Sequence, residues 1–252
     1  MAAKRVIPVL LIRNQGLWKG RRFRSHKYVG DPQNALRVFS EKMVDELVML
    51  NIEASVKKTG PDIRLIERVA NECYMPFAFG GGIRTVEQVG NVLRSGAEKV
   101  VIGTAALKTP NLINESARLF GSQSIVVSID YKETLFNKRR VYIYSGNKRT
   151  KVDPLRMAIE MSRRGAGEIL LTSISKEGMG GGLDLKFLEE VAMKVGVPII
   201  GGGGVGSVKD IIEGMNTTGL SAIAVGSLVT FSGPHRSVLI NYPLVSPAEV
   251  DD

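Results

Sequence analysis

The chain has 252 residues, of which 44% are hydrophobic, and its formal net charge is +9. This length and apolar content suffice for one well-buried domain, and α/β barrels commonly reach this size without splitting. With two histidines and a single cysteine, the composition argues against a histidine-built metal site, a Ser-His-Asp triad and cysteine catalysis, and we expect no cofactor.

Eight apolar runs bounded by turn residues alternate with amphipathic stretches along the chain. The runs lie at 6–12, 46–50, 76–80, 99–102, 124–129, 168–172, 198–202 and 222–225. The clearest amphipathic stretches lie at 32–49, 60–73, 85–96 and 183–195. Because fully buried parallel strands read as continuous Val/Ile/Leu runs, this alternation predicts an α/β fold of the (β/α)8 TIM-barrel type, with a doubly wound sheet as the alternative.

Two glycine turns divide the chain nearly in half and indicate an internal repeat. Gly80-Gly81-Gly82-Ile83 and Gly202-Gly203-Gly204-Val205 each follow an apolar run and precede a helical pattern. Glu46-Leu47-Val48 corresponds to Glu168-Ile169-Leu170 at an offset of 122 residues. The repeat favours the barrel. We predict one domain over 1–252, with half-barrels at approximately 1–122 and 123–232 and an atypical C-terminal tail at 233–252.

The same glycine turns predict two phosphate-binding sites. Glycine at a strand end lets backbone amides approach an anion closely, and a following helix N-terminus favours negative charge. The first site would join Gly81, Gly82, Gly103 and Thr104. The second would join Gly178, Gly203, Gly204, Gly226 and Ser227. Together they would hold a ligand with a phosphate at each end, although glycines can also serve only the geometry of tight turns.

Lysine and arginine crowd two predicted insertions, both on the C-terminal face of the barrel. The insertion after the first strand contains Arg13, Lys19, Arg21, Arg22, Arg24 and Lys27, and the one after the fifth contains Lys132, Lys138, Arg139, Arg140, Lys148, Arg149 and Lys151. Barrel active sites lie on this face, so the charge predicts an anionic ligand or an acidic partner, with a solvated basic surface as the alternative. Without an aromatic base-stacking cluster, we expect no nucleic acid partner.

The first residues lack the apolar core of a signal peptide. No run approaches the ~18 apolar residues of a membrane span. We therefore expect a cytoplasmic protein without a membrane span.

Several segments resemble the cyclase subunit of imidazole glycerol phosphate synthase along nearly the whole chain. They are Ala3-Lys4-Arg5-Val6-Ile7, Asp45-Glu46-Leu47-Val48, Gly80-Gly81-Gly82-Ile83, Phe120-Gly121-Ser122-Gln123 and RGAGEILLTSI at 164–174. The resemblance implies a (β/α)8 barrel that receives ammonia from a partner glutaminase along the barrel axis. In that family the ammonia is used to close an imidazole ring on a substrate with two phosphates.

One of the two acid/base aspartates of that family is missing. Asp130 matches the aspartate at the end of the fifth strand, whereas Leu11 stands at the end of the first. Loss of an acid/base group typically lowers the rate ~10²–10⁴-fold, so we expect lost or weak ring closure. Further departures from the family are Asn51, Gly103, Ser175 and Glu177. The alternatives are a cyclase whose acid/base work falls to Asp130, Glu53 or Glu177, and a phosphosugar isomerase.

The charged residues Arg5, Glu46, Lys99 and Glu168 begin predicted strands at the opposite, N-terminal end of the barrel. The resemblance implies that they form a salt-bridged ring, an ammonia gate, with the glutaminase docking near Glu98. The alternative is a structural seal. Side-chain alternation places Ser124, Val126, Ser128 and Asp130 on one side of the fifth strand, which suggests a narrow polar path along the axis.

The tail also departs from the cyclase. Together with Leu11 and Tyr28-Val29-Gly30-Asp31-Pro32, the segment 231–243 resembles cyclase-like paralogues of bacterial surface-sugar clusters, the WbuZ type associated with glycosyl amidation. We therefore expect an ammonia-conducting subunit of a glutamine-dependent amidotransferase assembly. Its expected partners are a glutaminase at the N-terminal face and a sugar amidotransferase, or an anionic phosphate-bearing ligand, at the C-terminal face. The alternative is the cyclase of histidine biosynthesis.

Overall fold

The computed structural model describes residues 4–134, 138–233 and 235–242. In chain order the strands are β1 Arg5–Arg13, β2 Gly16–Arg21, β3 Arg24–Gly30, β4 Leu47–Asn51, β5 Phe77–Gly80, β6 Lys99–Ile102, β7 Ile125–Glu133, β8 Arg139–Ile143, β9 Lys148–Arg149, β10 Glu168–Ser173, β11 Ile199–Gly202, β12 Ala222–Val225, β13 Phe231–Ser232 and β14 Ser237–Val238. The helices are α1 Pro32–Glu41, α2 Ala54–Lys57, α3 Ile63–Glu72, α4 Val86–Arg94, α5 Thr104–Lys108, α6 Asn111–Phe120, α7 Pro154–Arg163, α8 Leu185–Lys194 and α9 Val208–Thr218, and a 3-10 turn spans Ser122–Ser124.

Eight of the strands pair in parallel to form a closed barrel. Around the barrel the order of neighbours is β1, β4, β5, β6, β7, β10, β11 and β12. The last pair closes the barrel, with Arg5 of β1 beside Ala222 of β12. A doubly wound sheet would leave two free edges, so these pairings confirm the predicted (β/α)8 barrel and exclude the alternative.

The predicted bounds are accurate for the barrel strands and less so for the helices. β6 and β12 match the prediction, five others differ by one residue at one or both ends, and β7 runs on to Glu133. The helix predicted at 32–49 is wrong beyond Glu41, where α1 ends. Met43 adopts a left-handed φ of 49°, and the amide of Val44 donates to the carbonyl of Phe39 at 3.3 Å. This turn sends the chain back into the barrel wall as β4.

Two aspartate–proline pairs start equivalent helices in the two halves. Asp31 accepts a hydrogen bond from the amide of Gln33 at 2.8 Å, and Asp153 accepts one from the amide of Arg156 at 3.1 Å. Each aspartate is followed by proline, whose fixed φ suits the first turn of a helix. The two aspartates are 122 residues apart, so the local signal that starts α1 recurs at α7.

Antiparallel ribbons form where the sequence indicated basic insertions. β2 pairs with β1 and β3, and β8 pairs with β7 and β9. The second ribbon is fixed to α8, because Arg139 Nε lies 3.1 Å from Asp184 Oδ2 and the guanidinium lies 4.5 Å from the centre of the Phe187 ring. β1 and β7 are equivalent strands in the repeat, so each half of the barrel has its own ribbon on the C-terminal face.

The middle of the barrel interior is apolar. Its side chains are Ile7, Val48, Ala78, Val101, Val126, Leu170, Ile200, Ala222 and Ala224. The polar path expected along β7 is therefore interrupted at Val126, and Ser124 belongs to the 3-10 turn that precedes the strand. The reason is that tight packing of the closed barrel requires apolar volume at this level.

A short ribbon and an extended segment form the described part of the tail. β13 pairs with β14, and the amides of Leu239 and Asn241 then bond to the carbonyls of Thr230 and Val229 at 3.0 and 3.1 Å. The hydroxyl of Tyr242 donates to the carbonyl of Val6 at 3.1 Å. Burial, with a contribution from Asp45, raises the pKa of Tyr242 to about 12, so the hydroxyl keeps its proton. The segment 243–252 lies outside the described residues.

The proposed division into half-barrels and a tail stays a prediction. The aspartate caps of α1 and α7, and the ribbons on β1 and β7, occur once in each proposed half. Among the described residues, no helix is long and apolar enough to cross a membrane.

We predict that Leu170→Ala lowers the free energy of unfolding by ~2–5 kcal/mol, because it opens a cavity in the apolar middle level, where Leu170 is 1% exposed. Leu119→Ala removes the same atoms from a site that is 55% exposed and should change stability by less than ~1 kcal/mol. Urea unfolding of both variants checks this. If both variants lose the same free energy of unfolding, the barrel interior is not tightly packed at Leu170.

Candidate functional site

A closed ring of four ion pairs lies at the N-terminal end of the barrel interior. Arg5 pairs with Glu46 and, at 2.8 Å, with Glu168. Lys99 lies 2.8 Å from Glu46 and 3.2 Å from Glu168. All four carboxylate oxygens are therefore engaged. The four side chains are largely buried, with 5–22% exposure, so removing one partner leaves an uncompensated charge and costs ~3–5 kcal/mol.

Glu98 is exposed immediately before Lys99, on the same end of the barrel. Two large apolar side chains are exposed in loops that lead into neighbouring strands at this end, Met43 at 86% and Tyr74 at 90%. The N-terminal face therefore combines the charged ring with exposed apolar side chains.

A cavity of about 460 Å³ lies at the C-terminal end of the barrel. It is lined by residues from both halves and from both ribbons. Among the residues singled out from the sequence, the lining includes Leu11, Lys19, Asn51, Gly81, Gly82, Gly103, Thr104, Ser128, Asp130, Glu177, Gly203 and Gly226. The apolar middle level of the barrel separates this cavity from the charged ring.

Asp130 lies in the cavity together with Leu11, which stands two residues before the end of β1. Burial is the main reason why the pKa of Asp130 is raised to about 7, and the negative charge of Glu177 adds to the effect. A hydrogen bond with Ser128 acts in the opposite direction. Asp130 can therefore give or accept a proton near neutral pH, whereas Leu11 can do neither.

Glu177 forms a buried ion pair with Lys19, whose side chain is only 4% exposed. The ammonium lies against Gly226, where a Cβ atom would collide with it. A side chain at this turn would have to displace the end of the lysine, so glycine leaves room for the ion pair. The pair joins the first ribbon to the loop after β10 across the mouth of the cavity.

The first ribbon has further contacts over the cavity mouth. Arg22 donates from Nε to the carbonyl of Ser175 at 3.2 Å and from its backbone amide to the carbonyl of Glu177 at 2.8 Å. Phe23, at the ribbon tip, lines the cavity beside Gly146 of the second ribbon. The two ribbons thus meet above the barrel and narrow the entrance.

We call Gly81, Gly82, Gly103 and Thr104 the first cradle, and all four line the cavity. Gly81 and Gly82 have φ values of 123° and 76°, which side chains rarely adopt, and a Cβ at Gly82 would collide with the carbonyl of Thr59. The hydroxyl of Thr104 accepts a hydrogen bond from the amide of Tyr144 at 2.9 Å. The second ribbon therefore supports the first cradle directly.

We call Gly178, Gly203, Gly204, Gly226 and Ser227 the second cradle. Gly203 and Gly226 line the cavity, whereas Gly178, Gly204 and Ser227 are not part of its lining. The hydroxyl oxygen of Ser227 is buried and has no hydrogen-bond partner among the described residues. Lys19 already lies against Gly226, so the two cradles differ in what surrounds them.

Four residues that sequence reasoning missed also line the cavity near the first cradle: Lys58, Arg84, Lys108 and Tyr144. Arg84 and Lys108 follow the glycine turns of this cradle by two and five residues, and this spacing could have identified them. Tyr144 could not be found in this way, because the fold of the second ribbon brings it to the site.

Asn51, one of the departures from the resembling family, precedes α2, whose N-cap residue is Glu53. The side-chain oxygen of Asn51 accepts from the amides of Glu53 and Ala54 at 3.1 and 3.2 Å. Within the described ranges, no group of three or more histidine, cysteine, aspartate or glutamate side chains could hold a metal ion.

Comparison with known proteins matches residues 5–233 to the family described as Histidine biosynthesis protein. A Pseudomonas aeruginosa protein, provisionally named imidazole glycerol phosphate synthase subunit hisF2, is 45% identical, covering 99% of this chain and all of the relative. A Leptospira interrogans protein, also provisionally named a HisF subunit, is 44% identical over 96% of each chain. The imidazole glycerol phosphate synthase subunit HisF of Hydrogenobaculum sp. is 42% identical over 92% of each chain.

We predict that Asp130→Asn changes the pH dependence of stability. A folded-state pKa of about 7 means that the folded protein holds this proton more tightly than the unfolded chain, so the unfolding free energy falls as pH rises from ~4 to ~7. The amide has no such titration, and its stability relative to the native chain should rise by ~2–4 kcal/mol between pH 4.5 and pH 8.

Urea unfolding at both pH values measures this change. Asp45→Asn, at an exposed position, serves as the control and should follow the native chain. If Asp130→Asn also follows the native chain at both pH values, Asp130 is not held protonated by its surroundings.

Proposed function

This chain belongs to the family of HisF-like cyclase subunits of imidazole glycerol phosphate synthase, and we propose that it is an ammonia-conducting subunit of a glutamine-dependent amidotransferase assembly. In this proposal a glutaminase docks on the N-terminal face and releases ammonia at the charged ring. The ammonia passes along the barrel axis, and an acceptor enzyme at the basic C-terminal face uses it to amidate a surface-polysaccharide or glycan sugar.

The observation that supports this proposal best is the contrast between the two ends of the barrel. At the N-terminal end the ring of Arg5, Glu46, Lys99 and Glu168 is complete. At the C-terminal end Leu11 lies in the cavity with Asp130, so one proton-transfer position is apolar. Hydrophobic replacements are often at least as stable as buried ion pairs, so stability alone does not explain four buried charges. Passage of ammonia through the barrel accounts for the four charged residues. It does not require that the cavity close an imidazole ring.

The apolar middle level suits neutral ammonia better than ammonium. An ammonium ion would lose its hydration among Ile7, Val48 and Leu170, which is costly because these side chains are apolar. Ammonia is small and uncharged, and it needs only brief side-chain displacements to pass. The charged ring must also open, since its ion pairs span the axis.

The exposed N-terminal face supports a protein partner there. Met43 and Tyr74 supply apolar contact area, and Glu98 supplies a charge beside the ring. Aromatic residues and methionine are enriched at the centres of protein interfaces. A glutaminase seated over these residues would release ammonia next to Lys99.

The second candidate function is imidazole glycerol phosphate cyclisation. It is favoured by a specific pair of groups in the cavity: Asp130, with a pKa raised to about 7, and Glu177, which Lys19 keeps paired. Two carboxylates with different environments can divide acid and base roles. On this hypothesis Glu177 replaces the group lost at Leu11.

We predict that the purified chain, given ammonium salt and the imidazole glycerol phosphate synthase substrate, closes the ring at least ~10²-fold more slowly than the Hydrogenobaculum HisF relative, because Leu11 cannot transfer a proton. Leu11→Asp should increase the rate of product formation if the acid/base carboxylate at this position is the only group that the cyclase reaction lacks. Turnover comparable to the relative, and abolished by Asp130→Asn, would instead establish the cyclase function.

We predict that Lys99→Ala and Arg5→Ala reduce glutamine-driven amidation in the reconstituted assembly at least ~10-fold more than amidation driven by added ammonium. Free ammonia can reach the acceptor enzyme directly, whereas ammonia from the glutaminase must pass the ring. Amidation rates with each nitrogen source measure the difference.

Lys42→Ala is the matched control, since it removes an exposed charge from the loop between α1 and β4, at the same end of the barrel. Circular dichroism and glutaminase binding establish that the variants are folded and assembled. If the ring variants then transfer glutamine nitrogen as well as the native chain does, the ring is only a structural seal.

A further inference from the structure

Three segments around the mouth of the cavity form one connected surface, which we call the ribbon platform. They are the first ribbon at 16–30, the loop at 174–183 after β10, and the ribbon of β13 and β14 in the tail. The amide of Arg22 donates to the carbonyl of Glu177 at 2.8 Å, and Arg236 donates to the carbonyl of Gly178 at 3.2 Å. The side chain of Ile240 lies against Gly30 at the end of β3. Each segment is therefore fixed to both of the others.

The ribbon platform carries positive charge that the protein does not neutralise. Residues 16–30 and 226–242 contain no aspartate or glutamate, and the only acidic residue at 174–183 is Glu177, which pairs with Lys19. Six further cations have no carboxylate partner among the described residues: Arg21, Arg22, Arg24, Lys27, Lys176 and Arg236. Burial and the charge of Arg21 lower the pKa of Arg236, so cations of different segments repel each other. A negatively charged surface placed here would offset that repulsion.

Apolar side chains are exposed on all three segments of the ribbon platform. Tyr28 of β3 is 54% exposed, Met179 of the loop 44%, and Val238 and Leu239 of the tail 40% and 55%. The ring of Tyr28 is held edge-to-face against Trp18, with the ring centres 5.8 Å apart. Tyrosine, methionine and arginine are enriched at protein–protein interfaces, and groups of exposed apolar side chains mark such surfaces. Charge and apolar area therefore coincide on the ribbon platform.

β3 also presents a free strand edge on the ribbon platform. Among the described strands it pairs only with β2, and Val29 is its only buried residue. The amide and carbonyl groups of such an edge can bond to an extended segment of another protein. Arg24 and Lys27 on this strand repel the same strand of a second copy and attract acidic side chains. The edge therefore favours a protein over a lipid surface, and an acidic partner over a second copy of this chain.

We infer that the ribbon platform is the docking surface for the acceptor enzyme, which meets it with an acidic surface. This inference rests on the proposed function, because it assigns a place and a surface chemistry to the enzyme that receives the ammonia. Lys19 and Phe23 of the first ribbon line the cavity on their inner side. An enzyme seated on the outer side covers the mouth of the cavity, so ammonia that leaves the barrel enters the acceptor rather than bulk water.

The test is a calorimetric titration of the isolated chain with the sugar amidotransferase of the reconstituted assembly. Arg24→Glu should raise the dissociation constant about tenfold or more, because it places a negative charge against an acidic surface. Leu239→Ser should raise it about fivefold or more, because apolar contact is lost. Between about 50 and 300 mM NaCl the affinity of the native chain should fall about tenfold, since salt screens the attraction.

Arg118→Glu and Leu119→Ser are the matched controls. Both residues are exposed on α6, on the outside of the barrel, and Leu119 has the same 55% exposure as Leu239. Both control variants should bind the amidotransferase as tightly as the native chain does. Circular dichroism verifies that all four variants are folded.

Equal affinities of the ribbon platform variants and their controls would overturn the inference, as would the absence of binding. Vesicles of phosphatidylglycerol are tested in parallel by cosedimentation. If the native chain binds them and Arg24→Glu does not, the surface binds membranes and the inference is wrong. The titration measures no ammonia transfer. Docking on the ribbon platform without transfer of glutamine nitrogen would refute the proposed function alone, whereas transfer that does not depend on the ribbon platform would refute only this inference.

Discussion

The alternation of side chains along eight closed parallel strands is the constraint on which the other features depend. In β1 every second residue faces the barrel axis, so Arg5, Ile7, Val9 and Leu11 lie at successive heights. One strand thereby contributes to the charged ring, the apolar middle level and the cavity. A shift of register by one residue would turn all of these groups outward, and the ring and the cavity would be lost together.

Most of the barrel could be predicted from the sequence, because its buried strands are short continuous apolar runs bounded by glycine turns. The ribbons could not be predicted, since charged residues interrupt the few apolar positions of β2, β3 and β8. β3 is mostly exposed, and Lys19 in β2 is buried because it pairs with Glu177. The end of α1 was misjudged because an amphipathic pattern continues past Glu41, whereas the turn at Met43 depends on how the chain re-enters the barrel.

The candidate site likewise contains residues that could be predicted from the sequence and contacts that could not. Residues at or just after the ends of the predicted strands, such as Asp130, Gly82 and Thr104, could be assigned to the C-terminal face from sequence. The pairing of Lys19 with Glu177 joins positions 158 residues apart, and the bond between Lys108 and Tyr144 depends on the path of the second ribbon. The repeat suggested two equal cradles, but their neighbours differ, because Lys19 of the first ribbon lies against Gly226 and Tyr144 of the second ribbon bonds to Thr104.

The segment 239–242, which bonds to Thr230, Val229 and Val6 and which we call the outer strap, has a consequence for the order in which the molecule is completed during synthesis. β1 is made first, yet its partner β12 ends at Val225, and Tyr242 bonds to Val6 across 236 positions of sequence. Joining such distant segments carries a large loop-closure entropy cost until the intervening strands have assembled. The seam between β1 and β12 therefore stays open on the ribosome until the last strand emerges, and the outer strap forms later still. The first-made strand is thus among the last to gain its full set of neighbours.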